Sequence, residues 1–149
     1  MPQSEHSAVT KVPLSHAWEQ FLVKVYHPEN FVGATNVKIH EDGPGSRCVR
    51  EMTLNPAPGK SMTILEEITW DEATHLVDFR ILEHPSHTGN VINKLDGRKN
   101  DNGEDEVWVT FRMDWTFKGE GPDPLQLKIQ GAVEKTIQVI EATYAEKQQ

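Results

Sequence analysis

Between Ser15 and Val25 the apolar residues Ala17, Trp18, Phe21, Leu22 and Val25 recur three and four positions apart. That spacing predicts an amphipathic helix, capped by Ser15 and ended by His27-Pro28. A short second helical turn from Pro28 to Val32 stops at Gly33. From Thr35 to Lys118 the pattern changes to strand-length runs separated by turn residues. The separators are Asp42-Gly43-Pro44-Gly45, residues 55–59, Asp71-Glu72-Ala73, His84-Pro85-Ser86-His87 and an acidic loop from Asp96 to Glu106. Six consecutive strands with short connections predict an antiparallel meander, and a seventh, about His6 to Val12, precedes the first helix. After residues 119–123, Asp123 serves as N-cap and Pro124 as the first helical residue. Leu125, Ile129, Ala132, Val133, Thr136, Ile137, Ile140 and Tyr144 then form one stripe of a helix of roughly six turns. The sheet must bury its apolar face, and this last helix is the long apolar surface left to cover it.

Directly paired residues on neighbouring strands point to the same face, so the turns also predict facing. The 55–60 turn pairs Met52 with Ile64, Arg50 with Glu66 and Cys48 with Ile68. The 71–74 turn pairs Ile68 with Val77, Glu66 with Phe79 and Ile64 with Ile81. Further along, Ile81 meets Val91, Phe79 meets Asn93, Asn93 meets Val109 and Val91 meets Phe111. One face then reads Cys48, Met52, Ile64, Ile68, Val77, Phe79, Ile81, Val91, Val107, Val109, Phe111, Met113 and Phe117. The exceptions on it are Arg50, Glu66 and Asn93. A buried charge is costly unless paired, and Arg50 and Glu66 are placed to satisfy each other. They suit either the polar end of a greasy pocket or a structural ion pair bridging two strands. Asn93 suits either an orienting donor to a ligand or a buried amide satisfying backbone near a strand bend.

Composition narrows the function. The 149 residues carry 15 Lys+Arg against 23 Asp+Glu, a net charge of −8, with no basic run to hold a phosphate backbone. Nucleic acid is not an expected partner. The single cysteine, Cys48, excludes an intrachain disulfide and reads as a small buried hydrophobe. No run approaches a membrane span or a secretory signal, so a cytoplasmic protein is expected. His84 and His87 lie on a Pro-containing turn without further ligands, so no metal is expected. His6, His16, His27, His40 and His75 are expected to be exposed or at strand ends. Trp70 and Trp115 share the inward phase. Gly131 marks either a close approach of the last helix to ligand or sheet, or plain tolerance. The absence of P-loop, dinucleotide and nucleophile-elbow motifs predicts no cofactor.

The order of elements resembles the Bet v 1-like, START-like (SRPBCC) superfamily, which includes polyketide cyclases. Within it, Phe31-Val32, Val49-Arg50-Glu51-Met52, Leu65-Glu66-Glu67-Ile68, Gly89-Asn90-Val91-Ile92-Asn93 and the Thr110–Trp115 strand look like the DUF1857 branch. The resemblance implies an α+β helix-grip fold: a seven-stranded curved antiparallel sheet wrapped around a long C-terminal helix, with two short helices after the first strand. Residues 1–149 would form a single ligand-cavity domain, a monomer or weak homodimer.

The expected function is a cofactor-independent cyclase acting on a polyketide-like substrate in a hydrophobic cavity, by lactonisation to a 2-pyranone. Glu66 would be the general base, Arg50 the electrostatic stabiliser and Asn93 the orienting donor. The expected wall comprises Met52, Ile64, Trp70, Phe79, Ile81 and Val91, continued by Val109, Phe111, Met113, Trp115, Ile129 and Val133. The scarcity of inward polar groups keeps a second reading open, a non-catalytic carrier or sensor of a lipid or pathway intermediate. A third, an interaction domain using the outward row Trp108, Thr110, Arg112, Asp114 and Thr116, rests on one exposed-phase Trp.

Overall fold

In a computed structural model, residues 3–57 and 59–148 are described. Strand β1 (Gln3–Thr10) leads to helix α1 (Leu14–Tyr26) and a 3₁₀ turn (Pro28–Asn30). Six strands follow: β2 (Ala34–Asp42), β3 (Arg47–Ala57), β4 (Lys60–Asp71), β5 (Leu76–Glu83), β6 (His87–Lys99) and β7 (Asp105–Phe117). A 3₁₀ turn (Gln126–Lys128) then opens into α2 (Ile129–Lys147). The strands form one antiparallel sheet in the order β1-β7-β6-β5-β4-β3-β2, the helix-grip arrangement.

Helix α2 lies chiefly along β1 and β7, and α1 packs on β6 and β7. Between them and the sheet sits the main core, where Phe21, Ile68, Val77, Val109, Val133 and Ile140 are almost wholly buried. Each such side chain contributes about 1.5–3 kcal/mol through removal from water. Ala34, Met52 and Ile64 form a second, smaller cluster toward the β2–β4 end, away from the strands that α2 covers.

Local chemistry explains where the elements differ from expectation. Pro13, not Ser15, occupies the N-cap of α1; its extended backbone (φ −58°, ψ 144°) sets the entry, and its carbonyl accepts from the His16 and Ala17 N–H groups. Asp123 accepts N–H bonds from Leu125 and Gln126, but the turn it organises passes through 3₁₀ geometry before α2 starts at Ile129. The helix is therefore 19 residues long, nearer five turns than six.

The β3–β4 register is the expected one, Arg50 opposite Glu66. Beyond it each pairing slides by two: Ile68 meets Phe79, Phe79 meets Val91, and Asn93 meets Phe111. The first slide comes from a longer turn, in which Asp71 Oδ1 accepts the Ala73 N–H and His75 takes a left-handed φ of 54°. A two-residue slide preserves the face of every side chain. The acidic loop is shorter than expected, since β6 runs to Lys99 and β7 begins at Asp105, and Asn100 Oδ1 accepts the N–H groups of Asn102 and Glu104 across the turn.

His16 contradicts its expected exposure. It is buried, with Nε2–H donating to the Ile140 carbonyl at 2.9 Å, which ties α1 to α2. No protein atom lies within 4 Å of where a Gly131 Cβ would be, so the sheet does not approach it; the residue borders an open space beside α2.

Candidate functional site

Arg50 on β3 and Glu66 on β4 are direct cross-strand partners and leave the same face of the sheet. Arg50 Nη2 donates to Glu66 Oε1 at 2.7 Å, with the two side chains only 3% and 9% exposed. Arg50 Nη1 donates to the carbonyls of Lys24 and Val25 at 3.0 and 2.9 Å. Those carbonyls lie in the last turn of α1, where the helix offers no N–H partner. The guanidinium therefore caps α1 as well as pairing with Glu66. Its Nε is buried without a hydrogen-bond partner, and the group stacks 5.5 Å from the Phe79 ring centre.

Lys24 descends from the last turn of α1 into the same space. Its Nζ donates to Asn93 Oδ1 at 2.6 Å and stands 4.1 Å from the Phe111 ring centre and 5.3 Å from that of Phe79. Burial lowers its pKa to about 7; the positive charge of Arg50 works the same way, while Glu66 opposes both. The two aromatic faces favour the cation and so temper the shift. Asn93 is 1% exposed, and its Nδ2 has no partner.

These four residues share a cavity of about 150 Å³. Met52, Phe79, Val91, Phe111 and Met113 supply its apolar wall, so it lies where the small cluster meets the main core. Val32 and Ala132 on its rim also line a wider apolar vestibule of about 560 Å³. Leu54, Met62, Leu125 and Leu127 border that vestibule, and Leu127 is 76% exposed. A larger groove of about 630 Å³, between Lys11–Leu14 and the adjoining ends of β6 and β7, is lined by Arg98, Lys99, Asp105 and Glu106. It holds no comparable buried constellation.

The structure thus brings Arg50, Glu66 and Asn93 together with Met52, Phe79, Val91, Phe111 and Met113. Seven other expected wall residues lie off the cavity lining. Ile64 packs beside Met52 in the small cluster, Ile81 packs on the main core, and Val109, Trp115, Ile129 and Val133 are buried within that core. Trp70 is half-buried, edge-on to Tyr26 at 6.0 Å. The reason is packing: α2 lies chiefly along β1 and β7, and the cavity opens where the end of α1 stands over β3–β7.

Sequence reasoning missed Lys24. Its signal was positional, since it follows Ala17 by seven residues and Phe21 by three and so shares their buried face. It also missed a second buried polar pair. His87 opens β6 with its side chain fully buried, and Nε2–H donates to Asp123 Oδ1 at 2.9 Å. Nδ1 meets the Ser86 hydroxyl at 2.8 Å, and the ring packs 4.4 Å from Trp115, 5.0 Å from Phe117 and 4.8 Å from His84. None of Ser86, His87 and Asp123 lines the cavity or its vestibule. Among the described residues no three His, Cys, Asp or Glu side chains converge as a metal site. No described helix is long and apolar enough to cross a membrane.

No protein-family model and no curated protein matches the chain. Solved structures do. The Zhui aromatase/cyclase from Streptomyces sp. R1128 superposes with a TM-score of 0.68 at 16% identity, over 99% of this chain and 96% of that one. Ara h 8.0201 gives 0.64 at 21% identity, over 95% and 98% of the two chains. TTHA0849 from Thermus thermophilus gives 0.65 at 14%, over 95% and 99%. At these identities the likeness establishes the Bet v 1-like helix-grip fold.

Proposed function

We propose that the chain is a small-molecule cyclase whose reaction site is the Arg50–Glu66–Asn93–Lys24 cavity. The observation that carries this reading is a buried carboxylate–guanidinium pair set in an apolar-walled cavity beside two unpartnered donors, Arg50 Nε and Asn93 Nδ2. Small-molecule sites combine an apolar wall with a few convergent polar groups in this way. The fold is one that the Zhui aromatase/cyclase also uses, which lends support by analogy.

The reaction that demands least equipment is lactonisation of a 3,5-dioxoacyl thioester. Glu66 takes the proton of the C5 enol, and the enolate oxygen attacks the thioester carbonyl, forming the ring C–O bond. Arg50 Nε and Asn93 Nδ2 stabilise the resulting oxyanion. Its collapse breaks the C–S bond, and the departing thiolate recovers the proton from Glu66, leaving a 2-pyranone and a thiol. No cofactor enters the balance. Holding the chain curled in the cavity supplies the remaining advantage. The proposal includes the DUF1857-like branch, a single ligand-cavity domain, a cytoplasmic setting and a monomer or weak homodimer.

One observation favours a second reading, a carrier of a hydrophobic intermediate: Glu66 Oε1 is already engaged by Arg50, which opposes its use as a base. Turnover of a 3,5-dioxohexanoyl thioester separates the two. The cyclase reading predicts that Glu66→Gln lowers the rate about 100-fold or more while binding stays within about threefold. Parent protein that binds the thioester without accelerating its closure overturns the cyclase and leaves the carrier.

A further inference from the structure

Charge within the cavity does not balance. Arg50 and Glu66 answer each other at 2.7 Å, whereas the Lys24 amine faces a neutral amide oxygen and two ring faces. The remaining polar groups without partners, Arg50 Nε and Asn93 Nδ2, are both donors. Buried donors without acceptors are rare, and here two of them, on β3 and β6, share one small space with the Lys24 amine from α1. A neutral guest would meet some of these donors but leave the amine without a counter-charge. A carboxylate or an enolate supplies acceptor sites and the missing negative charge together.

We propose that the cavity recognises its guest by a delocalised oxyanionic head, a carboxylate or the enolate of a 1,3-dicarbonyl, received by Lys24 Nζ, Asn93 Nδ2 and Arg50 Nε. The apolar tail leaves past Val32 and Ala132 into the vestibule bordered by Met62, Leu125 and Leu127. This deepens the cavity reading above and rests on it, but it does not need the chemical step. It also assigns Lys24 a role in binding that the cyclase scheme leaves open.

The two sources of such a head differ in protons. With its pKa lowered to about 7, Lys24 is largely uncharged at pH 8 in the empty protein. An anion settling on Nζ stabilises the ammonium form, with Arg50 and Glu66 the other charged groups facing it. Decanoate arrives already ionised, so its binding draws a proton from solution. Undecane-2,4-dione, a weak acid, brings its own proton and draws none.

Isothermal titration calorimetry at pH 8, in phosphate and in Tris, tests this with decanoate, undecane-2,4-dione and decan-1-ol. The expected result is that decanoate and the dione bind at least about tenfold more tightly than the alcohol. Decanoate should take up close to one proton, and Lys24→Met should abolish both the preference and the uptake while alcohol binding persists. Equal affinity for acid and alcohol, preference without proton uptake by decanoate, or preference that survives Lys24→Met overturns the head-group inference and leaves the cavity standing. Failure of all three probes to bind overturns the cavity reading along with it. The wild-type proton count decides the question even if the variant folds poorly.

Discussion

The Arg50–Glu66 and His87–Asp123 pairs are alike in burial and in separation, 2.7 and 2.9 Å, yet only one is a candidate site. Around His87 both ring nitrogens are matched, Nε2 on Asp123 Oδ1 and Nδ1 on the Ser86 hydroxyl, and Asp123 Oδ1 also holds the Leu125 and Gln126 N–H groups. Three aromatic neighbours pack the ring. Together with the Lys118 N–H to Ser86 carbonyl bond, the pair ties the β5–β6 connection to the segment leading into α2. Around Arg50 the matching stops short, with two donors unpartnered beside open space. A buried polar pair thus points to function when unmet polar groups and a void accompany it; hydrogen-bonded and packed, it is a fastener.

The largest expected effect is that of Arg50→Leu, which strands the Glu66 carboxylate and uncovers two helix-end carbonyls. It should cost about 3–5 kcal/mol in urea unfolding. A loss below about 1 kcal/mol would mean that the pair is not the buried network described.

Lys24→Met probes the unmatched side. A lysine with its pKa lowered to about 7 holds fewer protons folded than unfolded up to the ordinary value of 10.5, so parent stability rises with pH across that window. The rise due to this group should be on the order of 2 kcal/mol between pH 7 and 9. Urea unfolding across that range should therefore show the variant's relative advantage greatest near and below pH 7 and shrinking above it; parallel profiles would contradict the assignment.

His87→Phe, which keeps a ring but drops the bond to Asp123, should cost about 1–3 kcal/mol and leave cavity binding unchanged. Burial raises the Asp123 pKa, but the bonds from His87, Leu125 and Gln126 together outweigh it and hold it below the ordinary value. Its contribution is therefore present above about pH 4 and lost as the pH falls through the lower folded value. Acid unfolding should show that loss in the parent and a smaller one in His87→Phe. A binding defect in this variant would erase the distinction between the two pairs.

The sheet was legible because strand parity is robust. The β3–β4 turn gave the Arg50–Glu66 pairing directly, and the two-residue slide begun by Asp71 and His75 left every inward residue inward. Lys24 was not legible, because hydrophobic periodicity counts a lysine as polar and passes over one whose amine turns inward onto the Phe79 and Phe111 rings. The His87–Asp123 bond joins residues 36 positions apart through a turn whose 3₁₀ geometry the helical stripe did not reveal. The extent of the cavity was overdrawn for a related reason: an apolar inward row does not distinguish a wall from a packed core, and Val109 and Val133 belong to the core.

The central claim, a polar-headed cavity between the end of α1 and strands β3–β7 that takes an amphiphilic guest, is tested most directly by methionine-methyl NMR during titration with decanoate. Met52 and Met113 line the cavity and Met62 lines its vestibule. The account predicts saturable shifts of the Met52 and Met113 methyls, with Met62 moving as the tail passes it. Saturable binding that leaves Met52 and Met113 unmoved, or no binding at all, would contradict it.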